Sequence, residues 1–142
     1  MTMTTISLSI TAIEREVFAL SALRSYYNKG RRSQVPLLTA DRREALEPLI
    51  RAAIGETALK IGGIANVSDE GDIVTVALNK DDKAVITAME QGCALRVLQI
   101  ANIGYDSGAA ADYGEQAEAS IESVRAALSG RATIGRIVPN WY

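Results

Sequence analysis

Histidine is absent from this chain, and cysteine occurs once, at Cys93. The first absence removes the common neutral-pH base and metal ligand. The second excludes an intrachain disulfide. Zinc centres and haem attachment need clustered ligands of these types and are not expected. Phosphate-loop spacing is missing as well, because Gly55, Gly62 and Gly63 are not followed by the Lys–Ser/Thr pair of such loops. No G-x-S-x-G elbow occurs. Cys93 has no imidazole to activate it, and its apolar neighbours raise a thiol's pKa, so a structural role is expected.

Long uninterrupted apolar runs are also lacking. The oiliest window, residues 84–103, is broken by Glu90, Gln91, Arg96, Gln99 and Asn102. Placing Glu90 and Arg96 in hydrocarbon would cost several kcal/mol, so the segment is read as a helix wrapped by protein. The N-terminal stretch MTMTTISLSIT has no basic region, and a secretory leader is not expected. The lone thiol suits a reducing compartment, so the expected location is cytoplasmic at synthesis, with no membrane partner.

What remains is an ordinary globular composition. The 142 residues are 48% apolar and 23% charged, with a net charge of -2. One domain of this size can bury a substantial core. A strongly basic nucleic-acid binder is disfavoured. The charge is unevenly spread: residues 1–60 hold nine basic and six acidic side chains, residues 61–142 six and eleven. Such halves can join head to tail between subunits, unless folding mixes them.

Periodicity organises the chain. Ile6, Leu8 and Ile10 alternate with Thr5, Ser7 and Ser9, which predicts a half-buried strand. Thr11 and Glu14 form a capping box for a helix over about 12–29, with Ile13, Val17, Leu20 and Tyr27 on its buried stripe. A second helix spans about 40–61 and is bent or two-part at Pro48, with Gly62 and Gly63 ending it. Residues 64–79 read as a hairpin whose second strand is IVTVAL, and the N-terminal strand can join as a third. Both faces of IVTVAL hold apolar groups, which suggests cover from helices on one side and from another chain on the other. Asn79 and Asp82 open a long helix over about 80–102, striped by Ile86, Met89, Cys93, Val97 and Ile100 and widened by Val85, Leu95, Leu98 and Ile103. The loop YDSGAAAD leads to a last helix over about 113–129, capped by Asp112 and Glu115 and striped by Ala117, Ile121, Val124 and Leu128. The fold class is therefore α+β and mainly helical: about four helices with a small two- or three-stranded sheet. Residues 1–130 form one helix-rich domain, and residues 131–142 form an extended tail.

Few residues carry candidate chemistry. Asp69, Glu70 and Asp72 lack the spacing of a calcium loop and read as a solvated turn. Lys29, Arg31 and Arg32, joined by Arg42 and Arg43 and lying near Tyr26 and Tyr27, offer cations for phosphates or for an acidic partner. Ile137, Val138, Trp141 and Tyr142 make the tail unusually apolar, and Trp and Tyr are favoured interface anchors. A carboxylate pair such as Glu14 with Glu118 would serve acid–base chemistry only if the fold brought the two together. No catalytic residue and no cofactor is assigned.

The order of elements resembles small virion structural proteins of the head–tail neck region in phages and prophages of Bacteroides-type bacteria. The likeness is one of pattern over about residues 5–131. An N-terminal strand runs into a helix, and a helix with an acidic start follows (TADRREALEPLI). The strand DIVTVALN then leads into a long apolar helix, and an Ala-rich acidic helix ends on basic residues (DYGEQAEASIESVRAALSGR). The chain departs from that group in lacking an aromatic-rich, basic centre in the long helix. The resemblance implies a non-enzymatic structural or assembly protein that associates with itself or with another structural protein, and it carries no catalytic residue across. Two other readings stand beside it: a nucleic-acid-associated accessory protein using Lys29, Arg31 and Arg32, and an enzyme with an unrecognised carboxylate site.

Overall fold

A computed structural model describes residues 4–28, 43–66, 72–78, 83–104 and 107–128. Its elements are β1 (Thr4–Ser9), α1 (Ile10–Asn28), α2 (Arg43–Lys60), β2 (Ile64–Asn66), β3 (Ile73–Leu78), α3 (Lys83–Asn102) and α4 (Ser107–Leu128). The expected class, four helices with a small sheet, is the observed one.

The sheet is antiparallel, in the order β1-β3-β2. The central position of β3 follows from its β-branched run, which packs well on a pleated surface. Ile6 pairs with Val76 and Leu8 with Val74. All four are buried, so period-2 alternation sends one set of side chains into the core. The opposite face is more open: Ser7 and Ile73 are exposed, and Thr75 and Ala77 are half-buried.

α2 is a single helix with Pro48 inside it, not two pieces. Pro48 lies near the helix start, where it forfeits one backbone bond, to the Glu44 carbonyl, and its ring stays exposed. The end of α2 matches expectation. Gly62 has a positive φ of 79°, the Gly63 amide donates to the Ala58 carbonyl at 2.8 Å, and the Gly62 amide donates to the Leu59 carbonyl at 3.2 Å. This is a Schellman turn, and glycine supplies the left-handed residue it requires.

Two helix starts differ from expectation. α1 begins at Ile10, two residues early, because Ser9 and not Thr11 is its cap: the Ala12 amide donates to Ser9 Oγ at 3.2 Å. α4 begins at Ser107, so Asp112 and Glu115 lie inside the helix and not at its start. Ala109, Ala110 and Tyr113 are buried there, and their packing extends the helix through residues that resemble a loop by composition.

α3 is the central element, packed by α1, α2, α4 and β1. Met89, Cys93 and Val97 are buried, as are Val85, Leu95 and Leu98. Much of its apolar surface is covered by the chain's own elements, whereas Ile86 and Ile100 of the expected stripe are half-buried. Ile103 is a correction: it is 62% exposed, one residue past the end of α3. Small residues let α4 come close, since a Cβ at Gly92 would touch Ser120 at 3.5 Å. Ser120 Oγ also donates to the Ala88 carbonyl at 3.1 Å. Among the described residues, no helix is long and apolar enough to cross a membrane.

Candidate functional site

Two carboxylates from distant parts of the chain, Asp72 and Glu90, meet where β1 becomes α1. The first turn of α1 presents amides with no intrahelical acceptor. The Ile10 amide donates to the Asp72 carbonyl oxygen at 2.8 Å, and the Thr11 amide donates to Asp72 Oδ1 at 2.8 Å. Ser9 Oγ donates to Asp72 Oδ2 at 2.8 Å, and Thr11 Oγ1 donates to Oδ1. Asp72 is therefore a helix cap supplied from the residue just before β3. Its negative charge also faces the positive end of the α1 dipole.

Glu90 grips the same junction from α3. The Ser9 amide donates to Glu90 Oε2 at 2.8 Å. Glu90 and Glu16 line a shallow cavity of about 170 Å³ together with Ala12, Thr87 and Gln91. Burial pushes the Glu90 carboxyl above the usual carboxylate range. The Ser9 amide opposes that shift, while the charges of Asp72 and Glu16 add to it. The group holds its proton more tightly than an exposed glutamate, and this is the main chemical capacity the arrangement offers.

A second polar cluster ties α2 to α3 and α4. Lys60 Nζ meets Glu118 Oε1 at 2.9 Å and Glu56 Oε1 at 3.7 Å. Arg96 Nε meets Glu56 Oε2 at 3.1 Å, and its Nη1 donates to Gln99 Oε1 at 2.8 Å. Arg125 pairs with Glu122 and donates through Nε to the Lys60 carbonyl at 2.9 Å. Acids and bases balance here, and the partners are spent on one another. The Lys60–Glu118 pair joins the basic N-terminal half to the acidic C-terminal half within one chain.

Glu14 and Glu118, weighed in the sequence as a conditional pair, lie on different helices. Glu118 on α4 is taken by Lys60, whereas Glu14 lies on α1, and both helices pack chiefly on α3. Asp72 of the acidic turn is a helix cap, not merely a solvated side chain. Cys93 is buried, donates to Thr57 Oγ1 at 3.7 Å and has its thiol pushed up to about 12 by that burial, as a structural cysteine should. No group of three or more carboxylates or thiols among the described residues is arranged to hold a metal. Lys29, Arg31, Arg32 and Arg42 lie outside the described residues, as do Ile137, Val138, Trp141 and Tyr142. Arg43 opens α2, and its side chain is outside that description too.

Sequence reasoning missed both Asp72 and Glu90. Their partners lie 61 to 81 residues away, and no local pattern announces such a bond. Replacing Asp72 with Ala should lower the free energy of unfolding by about 1–2 kcal/mol, the usual range for a lost helix cap. Urea denaturation at pH 7 measures it. An unchanged midpoint would show that water substitutes for the carboxylate.

No family model, curated protein or solved structure matches this chain.

Proposed function

We propose that the chain is a non-enzymatic structural or assembly protein that associates with copies of itself or with another structural protein. The observation that carries this reading is how the described polar side chains are used. Asp72 and Ser9 cap a helix, Glu90 holds a strand end, and Lys60, Glu56, Arg96 and Glu118 tie helices together. These side chains hold elements of the fold together, and that use supports a scaffold reading. A scaffold of this kind acts through contacts with partners, and the sequence offers two candidate segments for them: the apolar tail with Ile137, Val138, Trp141 and Tyr142, and the cations Lys29, Arg31, Arg32, Arg42 and Arg43. The finer reading, a virion component of the head–tail neck, rests on the resemblance in element order.

Light scattering coupled to size exclusion tests the proposal. The full chain should run as an oligomer whose mass falls toward 15.2 kDa on dilution. Changing Trp141 and Tyr142 to Ser should shift that equilibrium toward monomer by about tenfold or more, as expected for interface anchors. A monomer at every concentration, in wild type and variant alike, would overturn self-association.

A further inference from the structure

We propose that the outer edge of β1 is a self-pairing surface: β1 of one copy adds antiparallel to β1 of a second copy and joins the two sheets into one. The proposal rests on the self-association reading and gives it a contact. β1 stands at one end of the order β1-β3-β2, so β3 bonds one side of it only. Two bonds fix which groups face the other side. The Ile10 amide donates to the Asp72 carbonyl, so these two residues form a hydrogen-bonded pair of the ladder. Such pairs recur at every second residue, which turns the backbone groups of Ile6 and Leu8 toward β3. The N–H and C=O groups of Thr5, Ser7 and Ser9 therefore point away from β3. The Ser9 amide does so visibly, since it donates to Glu90 Oε2 on α3 at 2.8 Å. That bond closes one end of the edge. Among the described residues no strand lies beyond Thr5 and Ser7.

The character of the strand points to a second copy as the occupant. Edge strands are commonly guarded by charges, prolines or bulges. Thr4–Ser9 reads TTISLS, with no charge and no proline, and its pairing with β3 runs unbroken from Thr4 to Ser9. Two such strands meet with no like charges opposed, and Ser7 is exposed. A two-fold axis at Ile6 sets Thr5 of each copy opposite Ser7 of the other, and each of these pairs exchanges both backbone bonds. The register thus uses the outward groups that Glu90 leaves unclaimed. The far edge of the sheet does not compete. β2 has three residues, and the same alternation turns only Ala65 outward. Pairing through β1 therefore closes at two copies and does not propagate.

Hydrogen exchange of the full chain at rising concentration, read beside light scattering, tests this. As the mass rises, the Thr5 and Ser7 amides should gain about tenfold protection or more. The Ser9 amide, held by Glu90, and that of Val124, buried on α4, should change little. Ser7→Pro removes an outward N–H and leaves the bonds to β3 in place, so it should weaken association by about tenfold or more. Ser7→Lys sets a charge at the same exposed position without altering the backbone and should act in the same direction, even where proline disturbs the fold. Association with unchanged exchange at Thr5 and Ser7, or undiminished in Ser7→Lys, would overturn the β1 contact and leave self-association standing. Protection of both amides already complete in dilute monomer would give the edge to another segment of the same chain and overturn the proposal. A monomer at every concentration would overturn both the contact and self-association.

Discussion

Leu98→Ala should lower the free energy of unfolding by about 3 kcal/mol, within the span of roughly 2–5 kcal/mol for buried leucines cut to alanine. Leu98 is fully buried on α3, the helix against which α1, α2 and α4 all pack. The removed atoms lose their transfer free energy, and a close-packed core closes the resulting cavity only in part. The comparison is Ile103→Ala. Ile103 belongs to the same apolar stretch of sequence but is 62% exposed, and its truncation should stay within about 0.5 kcal/mol. Urea titrations of both variants should show a large midpoint shift for the first, little for the second, and a common slope. Equal shifts would mean that α3 does not hold the centre of the fold.

The second large effect is kinetic. Cys93 should react with a thiol-exchange reagent at pH 8 at least a thousandfold more slowly in the folded chain than in urea. Its pKa is pushed up to about 12 by complete burial, so the thiolate fraction falls by roughly three decades relative to an exposed cysteine. Steric exclusion slows the reaction further. In the folded chain the thiol therefore reports opening of the core, and Leu98→Ala should accelerate it in step with the lost stability. A fast native reaction would place Cys93 at a surface.

The fold was legible to the degree that its determinants were local. Alternation at Ile6 and Leu8 marks a strand, and the spacing of Leu46, Ile50, Ile54 and Ala58 marks a helix that Gly62 ends. Local signals misled where tertiary packing outweighed them. Thr11 and Glu14 make a good capping box, yet Ser9 caps α1, because Asp72 arrives from the sheet to take the next amide. The stretch from Ser107 to Ala111 reads as a loop, yet burial of Ala109 and Ala110 against the core makes it helix. Oiliness suggested a need for neighbours on α3, and the chain itself provides many of them. The Asp72–Glu90 junction was illegible because each bond joins residues that only the folded chain brings together. Glu90 stands out in the sequence merely as a charge interrupting an apolar run.

The grip of Asp72 and Glu90 on Ser9 and Thr11 also bears on the order of events at the ribosome. β1 and α1 are finished by groups that emerge more than sixty residues later. Until β3 leaves the exit tunnel, β1 has no strand to pair with and the front of α1 lacks its distant acceptors. The β1–α1 junction is thus made well before it is locked, and its completion waits for α3.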